Sequence, residues 1–242
     1  MQNILITNRQ NLITRFFKPI SVLSDIASIK VTPNGATCLA RTNDQQLILY
    51  AQSKDITTDI DCQLDFTDCK NFEKLLDAIP DETITLNYDV NNLVYKSKTF
   101  KFKYHLLDTS LVQQFALNVD KIEKFETDIF FTVSGDQFDL ILKKSSIVNT
   151  VNKVYFSFDG DQILAEITDK AQDNVNSLTI SLGETDINCD KSFPVSLESL
   201  RNLSYSKKDI LGFKLNTQQG VFSVEISDEF NKLKYLITTL VK

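Results

Sequence analysis

Apolar and polar positions alternate along this chain in two rhythms. Ile13, Phe16, Phe17 and Ile20 fall three and four residues apart, the spacing of one helix face, and Asn8 ahead of them reads as an N-cap. From Ile29 and Val31 the period drops to two, which is strand spacing. Taken along the chain, the pattern predicts a strand at 3–7, a helix from Asn8 to about Ile20, and strands at 27–32, 36–42, 46–53 and 60–65. A second helix over 68–79 starts on Asp68, buries Phe72, Leu75, Leu76 and Ile79, and ends at Pro80-Asp81. Strands at 83–88, 93–97 and 100–106 follow. Residues 107–124 alternate poorly. Beyond them come a strand at 125–132, a helix at 137–149, strands at 153–158, 162–168, 177–182 and 191–195, a helix at 196–203, and strands at 209–216, 220–226 and 233–240.

The rhythm repeats. Residues 12–44 and 137–169 align at a constant offset of 125 without a gap, placing Gly35 on Gly160, Leu39 on Leu164, Ala40 on Ala165 and Asp44 on Asp169. The helix positions follow the same shift, Ile13 on Phe138, Phe16 on Ile141, Phe17 on Leu142 and Lys18 on Lys143. Asn34-Gly35 and Asp159-Gly160 are hairpin turns, because these dipeptides supply the positive φ that tight turns need. Leu86-Asn87 answers Leu215-Asn216 at 129, and Lys103-Tyr104 answers Lys234-Tyr235 at 131. The chain therefore divides into two similar domains, 1–107 and 125–242. A connector at 108–124 carries Leu111, Val112, Phe115 and Leu117 and is expected to lie against a surface. Each domain is a strand–helix–three-strand pattern used twice. Four helices and about eighteen short strands imply an α+β fold with antiparallel sheets covered by helices on one side.

Composition narrows what such a fold does. At 42% hydrophobic residues the chain fills a core, and no apolar run approaches the ~18–20 residues of a membrane span. The opening MQNILITNRQNLI has no secretory pattern, so a cytoplasmic location is expected, the host's cytoplasm if the source is viral. Cys38, Cys62, Cys69 and Cys189 form no CxxC pair, and His105 is the one histidine. A zinc site needs clustered Cys and His, so neither a metal nor a cofactor is expected, and the four thiols read as buried or half-buried. No GxSxG, Walker A or GxGxxG motif is present. His105 sits in a strand pattern and reads as structural. Asp159, Asp161 and Asp169 read as turn residues, since the first copy has Asn34-Gly35-Ala36 at the same turn. No catalytic residue is assigned; the chain reads as a non-enzyme.

The net charge of −6 argues against nucleic acid until its distribution is considered. Helical stretches 8–20, 68–79, 137–150 and 196–205 carry +3, −1, +1 and 0, which leaves −9 for the rest of the chain. Basic helices on an acidic body would admit a phosphate backbone to one surface only. A solvated helix face carries lysines too, so no single lysine decides this.

Together, GATCLARTND with QQLILYAQS, the NFEKLLDAI helix, the YKSKTFKFKYHL strands, FPVSLESLRNL and the closing KLKYLIT resemble the sliding clamps of DNA replication. These are the proliferating-cell nuclear antigen (PCNA) type and its T-even-phage relatives, and length and short tails look more like the phage branch. The resemblance implies a DNA clamp fold, with two similar domains, antiparallel sheets outside and two helices per domain inside. It implies a homotrimeric ring around duplex DNA that tethers a DNA polymerase and is opened by an ATP-driven clamp loader. On that resemblance Arg9, Arg15, Lys18, Lys70, Lys74, Lys143, Lys144 and Arg201 face phosphates, with Lys207 and Lys208 at a rim. Partner peptides would meet Ile48, Phe115, Leu117, Leu236 and Thr238, which are equally readable as plain core positions. Leu236 stands where the family often has an aromatic residue. Subunits would join strand 100–106 to strand 177–182 of the next copy, through Phe100, Phe102, Tyr104, Leu178, Ile180 and Leu182. The alternative is an adaptor of the same two-domain architecture that does not encircle DNA.

Overall fold

The computed structural model describes residues 2–89, 91–108, 119–148, 151–172 and 175–239. Phe115, Leu117 and the rest of 109–118 lie outside the described residues. Two compact units divide the chain, Met1–Lys124 with Ser227–Lys234, and Phe125–Ile226 with Tyr235–Lys242.

In unit one the order is β1 (Gln2–Ile6), α1 (Arg9–Leu12), a π-helical turn (Ile13–Phe17), α2 (Lys18–Leu23), β2 (Ala27–Thr32), β3 (Gly35–Arg41), β4 (Leu47–Ser53), β5 (Ile56–Thr58), β6 (Cys62–Phe66), α3 (Cys69–Asp77), β7 (Ile84–Asp89), β8 (Asn92–Lys96) and β9 (Lys101–His105). A short α4 (Val119–Glu123) falls in the stretch read as a connector. Unit two runs β10 (Ile129–Ser134), α5 (Gly135–Ser145), β11 (Lys153–Asp159), β12 (Gln162–Ile167), β13 (Leu178–Glu184), β14 (Asn188–Ser196), α6 (Leu197–Arg201), β15 (Ile210–Asn216), β16 (Val221–Ser227) and β17 (Asn231–Thr238).

Helices begin where polar side chains can satisfy their first free N–H groups. Asn8 accepts from Asn11 N–H, Asp68 from Asn71 N–H and Ser196 from Ser199 N–H. Ser134 and Gln137 form a reciprocal capping box, which starts α5 two residues before the position the apolar spacing suggests. The first helix does not run straight through. Pro19 has no N–H for the carbonyl four residues back, and the chain widens into the π turn just before it.

All the described strand pairs are antiparallel. Unit one has the sheet β5-β1-β7-β8-β9 and the run β4-β3-β2-β6. Unit two has β13-β12-β11-β14 and the run β10-β15-β16-β17. The strand–helix–three-strand pattern is present twice in each, with β5 as an addition in unit one. Three residues are too few for alternation to announce, so no strand is predicted at 56–58. Gly35 turns β2 into β3 at φ +134°, and a Cβ there would lie 2.4 Å from Ser53 O.

Each unit centres on packed aromatic rings. In unit one Phe66 and Phe72 lie 4.7 Å apart, and each contacts both Phe17 and Tyr104. In unit two Phe131 stacks on Phe213 at 5.1 Å, with Phe156, Phe138 and Phe222 around them. Each fully buried ring contributes about 1.5–3 kcal/mol relative to exposure. Cys38 and Cys69 are buried, Cys62 and Cys189 half-buried. Burial pushes the Cys38 and Cys69 thiols well above their ordinary range, so they pack as small hydrophobes. His105 lies in a strand, as its surroundings predict, and is exposed at the end of β9. Among the described residues no helix is long and apolar enough to cross a membrane.

Candidate nucleic-acid interface

In unit one the α1–α2 helix packs beside α3, and a shallow groove of about 200 Å³ runs between them. Gln10, Thr14 and Lys18 line it from one helix, Glu73, Lys74 and Asp77 from the other. Lys18 and Lys74 are exposed and have no ion pair among the described residues. Lys70 is exposed but leans on Asp25 at 3.2 Å. Arg15 is half-buried by the π turn and lies 3.8 Å from Asp228.

Arg9 departs from its expected role. Its side chain is buried at 6% exposure. The guanidinium donates to Asp81 O at 2.9 Å, Leu76 O at 3.2 Å and Glu82 Oε1 at 3.4 Å, and lies 3.8 Å from Asp77. Arg9 therefore ties the end of α3 and the 81–82 loop to α1. It is an internal strut with no face left for a phosphate.

In unit two α5 packs beside α6, and Arg201 donates to Ser145 Oγ at 3.0 Å. Lys144 is exposed with no ion pair among the described residues. Lys143 is exposed but held 2.6 Å from Asp139. That contact lowers the Asp139 carboxyl and raises the Lys143 amine, both through the shared hydrogen bond first. Lys207 also leans on Asp139 at 3.7 Å and Asp136 at 3.9 Å. By the observed bounds α3, α5 and α6 are each neutral, so the +3 sits entirely on the first helix, one of whose three cations is buried. Apolar helix spacing does not single out Asp25 and Asp139, which neutralise Lys70 and Lys143; for Asp139 the available signal is its place four residues before Lys143.

The sheet edges lie where the resemblance implies them. β9 ends one sheet and β13 another. The named side chains are not at the surface, however. Phe102, Tyr104, Ile180 and Leu182 are buried in their own units, at 7%, 5%, 9% and 3% exposure. Tyr104 Oη accepts from Asp68 N–H and donates to Asp68 O, both at 3.0 Å, holding the start of α3. Period-two alternation turns these residues inward. The outward set is Lys101, Lys103 and His105 on β9, and Thr179, Ser181 and Gly183 on β13. Phe100 and Leu178, at the strand ends, are half-buried.

The whole chain aligns with solved structures over its full length. The complex of the C-terminal region of FEN-1 with A. fulgidus PCNA matches at TM-score 0.78 and 14% identity, covering 100% of this chain and 99% of that one. PCNA from Thermococcus kodakaraensis matches at 0.76 and 12%, covering 99% and 100%. PCNA from Entamoeba histolytica matches at 0.74 and 15%, covering 99% of each. The chain has the PCNA fold.

No protein-family model and no curated protein matches the sequence. At these identities the PCNA likeness establishes the fold, an α+β clamp fold rich in antiparallel sheet. Of the residues proposed to meet partner peptides on the PCNA fold, Ile48 is half-buried on β4, Leu236 half-buried on β17 and Thr238 exposed on β17. Phe115 and Leu117 lie outside the described residues.

Proposed function

We propose that the chain is a DNA sliding clamp, a non-enzymatic processivity factor whose copies close into a ring around duplex DNA. The observation that carries this is the full-length match to the PCNA fold, in which each unit sets two helices side by side with exposed cations. Lys18 and Lys74 border one groove in unit one; Lys144 and Arg201 stand on neighbouring helices in unit two. A clamp must hold DNA yet move along it, so its phosphate contacts must be few, non-specific and easily exchanged. Internal pairing of Lys70 and Lys143 thins the positive surface in that sense.

The ring is proposed to contain three copies, joined head to tail through the backbone edges of β9 and β13. Charge supports the pairing. Lys96, Lys98, Lys101 and Lys103 are exposed on and beside β9, and Glu184 and Asp186 at the end of β13. A closed ring also removes two unpaired edges from solution. Tethering a polymerase and opening by an ATP-dependent loader complete the reading.

Solution mass tests it. A particle of about three times 27.5 kDa is expected; a stable monomer would move the reading to an adaptor of the same architecture. Retention on nicked circular DNA, lost when the circle is linearised, then tests encirclement, and equal retention on both forms would refute it.

A further inference from the structure

The two units differ at one sheet edge. Ile4 pairs with Leu86 and Ile6 with Ile84; Phe131 pairs with Phe213 and Val133 with Leu211. One shift of 127 carries the first set onto the second, so β10 is the counterpart of β1. β1 is sheathed on its other side by β5, with Ile4 opposite Thr58, Leu5 opposite Thr57 and Ile6 opposite Ile56. Among the described residues no strand lies beside β10 there. β13 runs on into β14 without leaving a segment in the place of β5.

Alternate residues of β10 turn their backbone groups away from β15, where no described strand meets them. Gly135 N–H donates to Asp209 O at 2.8 Å, which sets the phase of the β10–β15 ladder. Ile129, Phe131 and Val133 point their backbone groups at β15, and Phe130 and Thr132 point theirs outward. In unit one Thr7 N–H donates to Asp55 O at 2.9 Å, setting the same phase, so the counterpart residues Asn3 and Leu5 are the ones that meet β5. The Ser134 N–H is already used by Gln137 Oε1.

β10 also lacks the devices that keep an edge from pairing. It is six residues long, Ile-Phe-Phe-Thr-Val-Ser, with no charge, no proline and an unbroken register against β15. β9 by contrast carries Lys101 and Lys103, and β12–β13 contains a register shift. Beside the open edge of β10 Phe130 is 56% exposed, lying over Gly212, and Ile210 is 61% exposed on the next strand.

We propose that the open edge of β10 receives an extended peptide segment of a partner protein, added as an antiparallel strand in the place that β5 fills in unit one. The occupant's chemistry follows from β5: an uncharged three-residue core with β-branched side chains at alternate positions, as Ile56 and Thr58, both buried, have in unit one. Its backbone bonds Phe130 and Thr132, and an outward apolar side chain packs on Phe130. The inference stands on unit two alone, whether or not the chain encircles DNA.

The test is amide hydrogen exchange with residue resolution on the full chain, using as probe a capped peptide of the chain's own β5 sequence, Ser-Lys-Asp-Ile-Thr-Thr-Asp. At about nine-tenths occupancy, reached with peptide in the millimolar range, exchange at Phe130 and Thr132 should slow about tenfold. Exchange at Phe131 and Val133, already bonded to β15, should not change. Thr132→Pro removes the outward donor without touching the β15 ladder and should abolish the slowing. Phe130→Asp, a surface change that leaves the core intact, should weaken it and keeps the test valid if the proline variant fails to fold. Unchanged exchange at Phe130 and Thr132 with peptide would overturn the proposal. So would protection there without peptide that rises with protein concentration, which would make the occupant a second copy.

Discussion

Arg9 and Lys18 lie on the same helix, both basic and both at polar positions by spacing, yet the structure gives them opposite roles. Replacing each by Gln separates those roles. Arg9→Gln removes charge-assisted bonds to Asp81 O and Leu76 O and leaves those carbonyls facing a buried gap. Bonds to charged groups contribute roughly 1.5–3 kcal/mol each. The acids facing Arg9 regain water cheaply, because the Asp77 and Glu82 side chains are 66% and 57% exposed. That keeps the total below the upper end of the roughly 3–5 kcal/mol of a fully buried broken pair. A loss of about 2–4 kcal/mol is expected, which for a chain of this length lowers Tm by about 5–15 °C. Lys18→Gln should leave Tm nearly unchanged, since exposed substitutions stay within about 0.5 kcal/mol. DNA binding should show the reverse. Lys18→Gln should reduce the slope of log affinity against log salt by about 0.9, and Arg9→Gln should leave it unchanged below its own Tm. Calorimetry and a salt titration of binding to duplex DNA read both quantities. An Arg9→Gln protein with unaltered Tm and a shallower salt slope would refute the reasoning.

Asp55 is buried and accepts from Asn11 Nδ2 at 2.8 Å and Asn231 Nδ2 at 3.2 Å, while its Oδ1 and Asn231 Oδ1 find no partner among the described residues. Burial raises its carboxyl above the usual range, with the Asp228 charge adding to it against the two amides. A raised acid binds its proton more tightly in the fold, so its contribution is present below the unfolded pKa and lost as pH rises through the folded one. Asp55→Asn should remove that pH dependence and be no less stable than the parent at pH 7, read by thermal melts from acid to neutral pH. Asp139→Asn should release Lys143 and part of Lys207, steepening the salt slope of DNA binding by about 1. Gly135→Ala places a Cβ 2.1 Å from Ser206 O, a backbone atom, and should cost about 3 kcal/mol, visible as a lower urea midpoint.

The duplication was legible because helix and strand periods survive divergence when one face must stay apolar. Ile13, Phe16 and Phe17 are core in unit one, and Phe138 and Ile141 are core in unit two, as the offset of 125 requires. The fate of the cations was not legible in the same way. A polar position on a helix face says that water or another polar group is nearby, not which. Arg9 meets the carbonyls of a loop more than seventy residues away, and no local spacing reports that. Lys70 likewise meets Asp25 across the fold.

The edge strands show the same limit from another side. The resemblance makes Phe102, Tyr104, Ile180 and Leu182 contacts of a subunit seam, and apolar-rich strands at sheet edges call for a partner. Alternation fixes which residues share a face but not which face is the core, and here that face is inside. What an edge offers a partner is its backbone, with the outward side chains deciding who is admitted. By that criterion β9, lined with lysines, admits an acidic strand end such as that of β13 and repels its own kind. β10, uncharged and beside an exposed phenylalanine, has no such filter. If the outward side chains did not decide who is admitted, adding a charge at Thr132 would change nothing; on the reasoning here Thr132→Asp, set opposite Thr57 of a peptide that carries Asp55 and Asp59, should abolish peptide protection at β10 while leaving the solution mass of the protein unaltered.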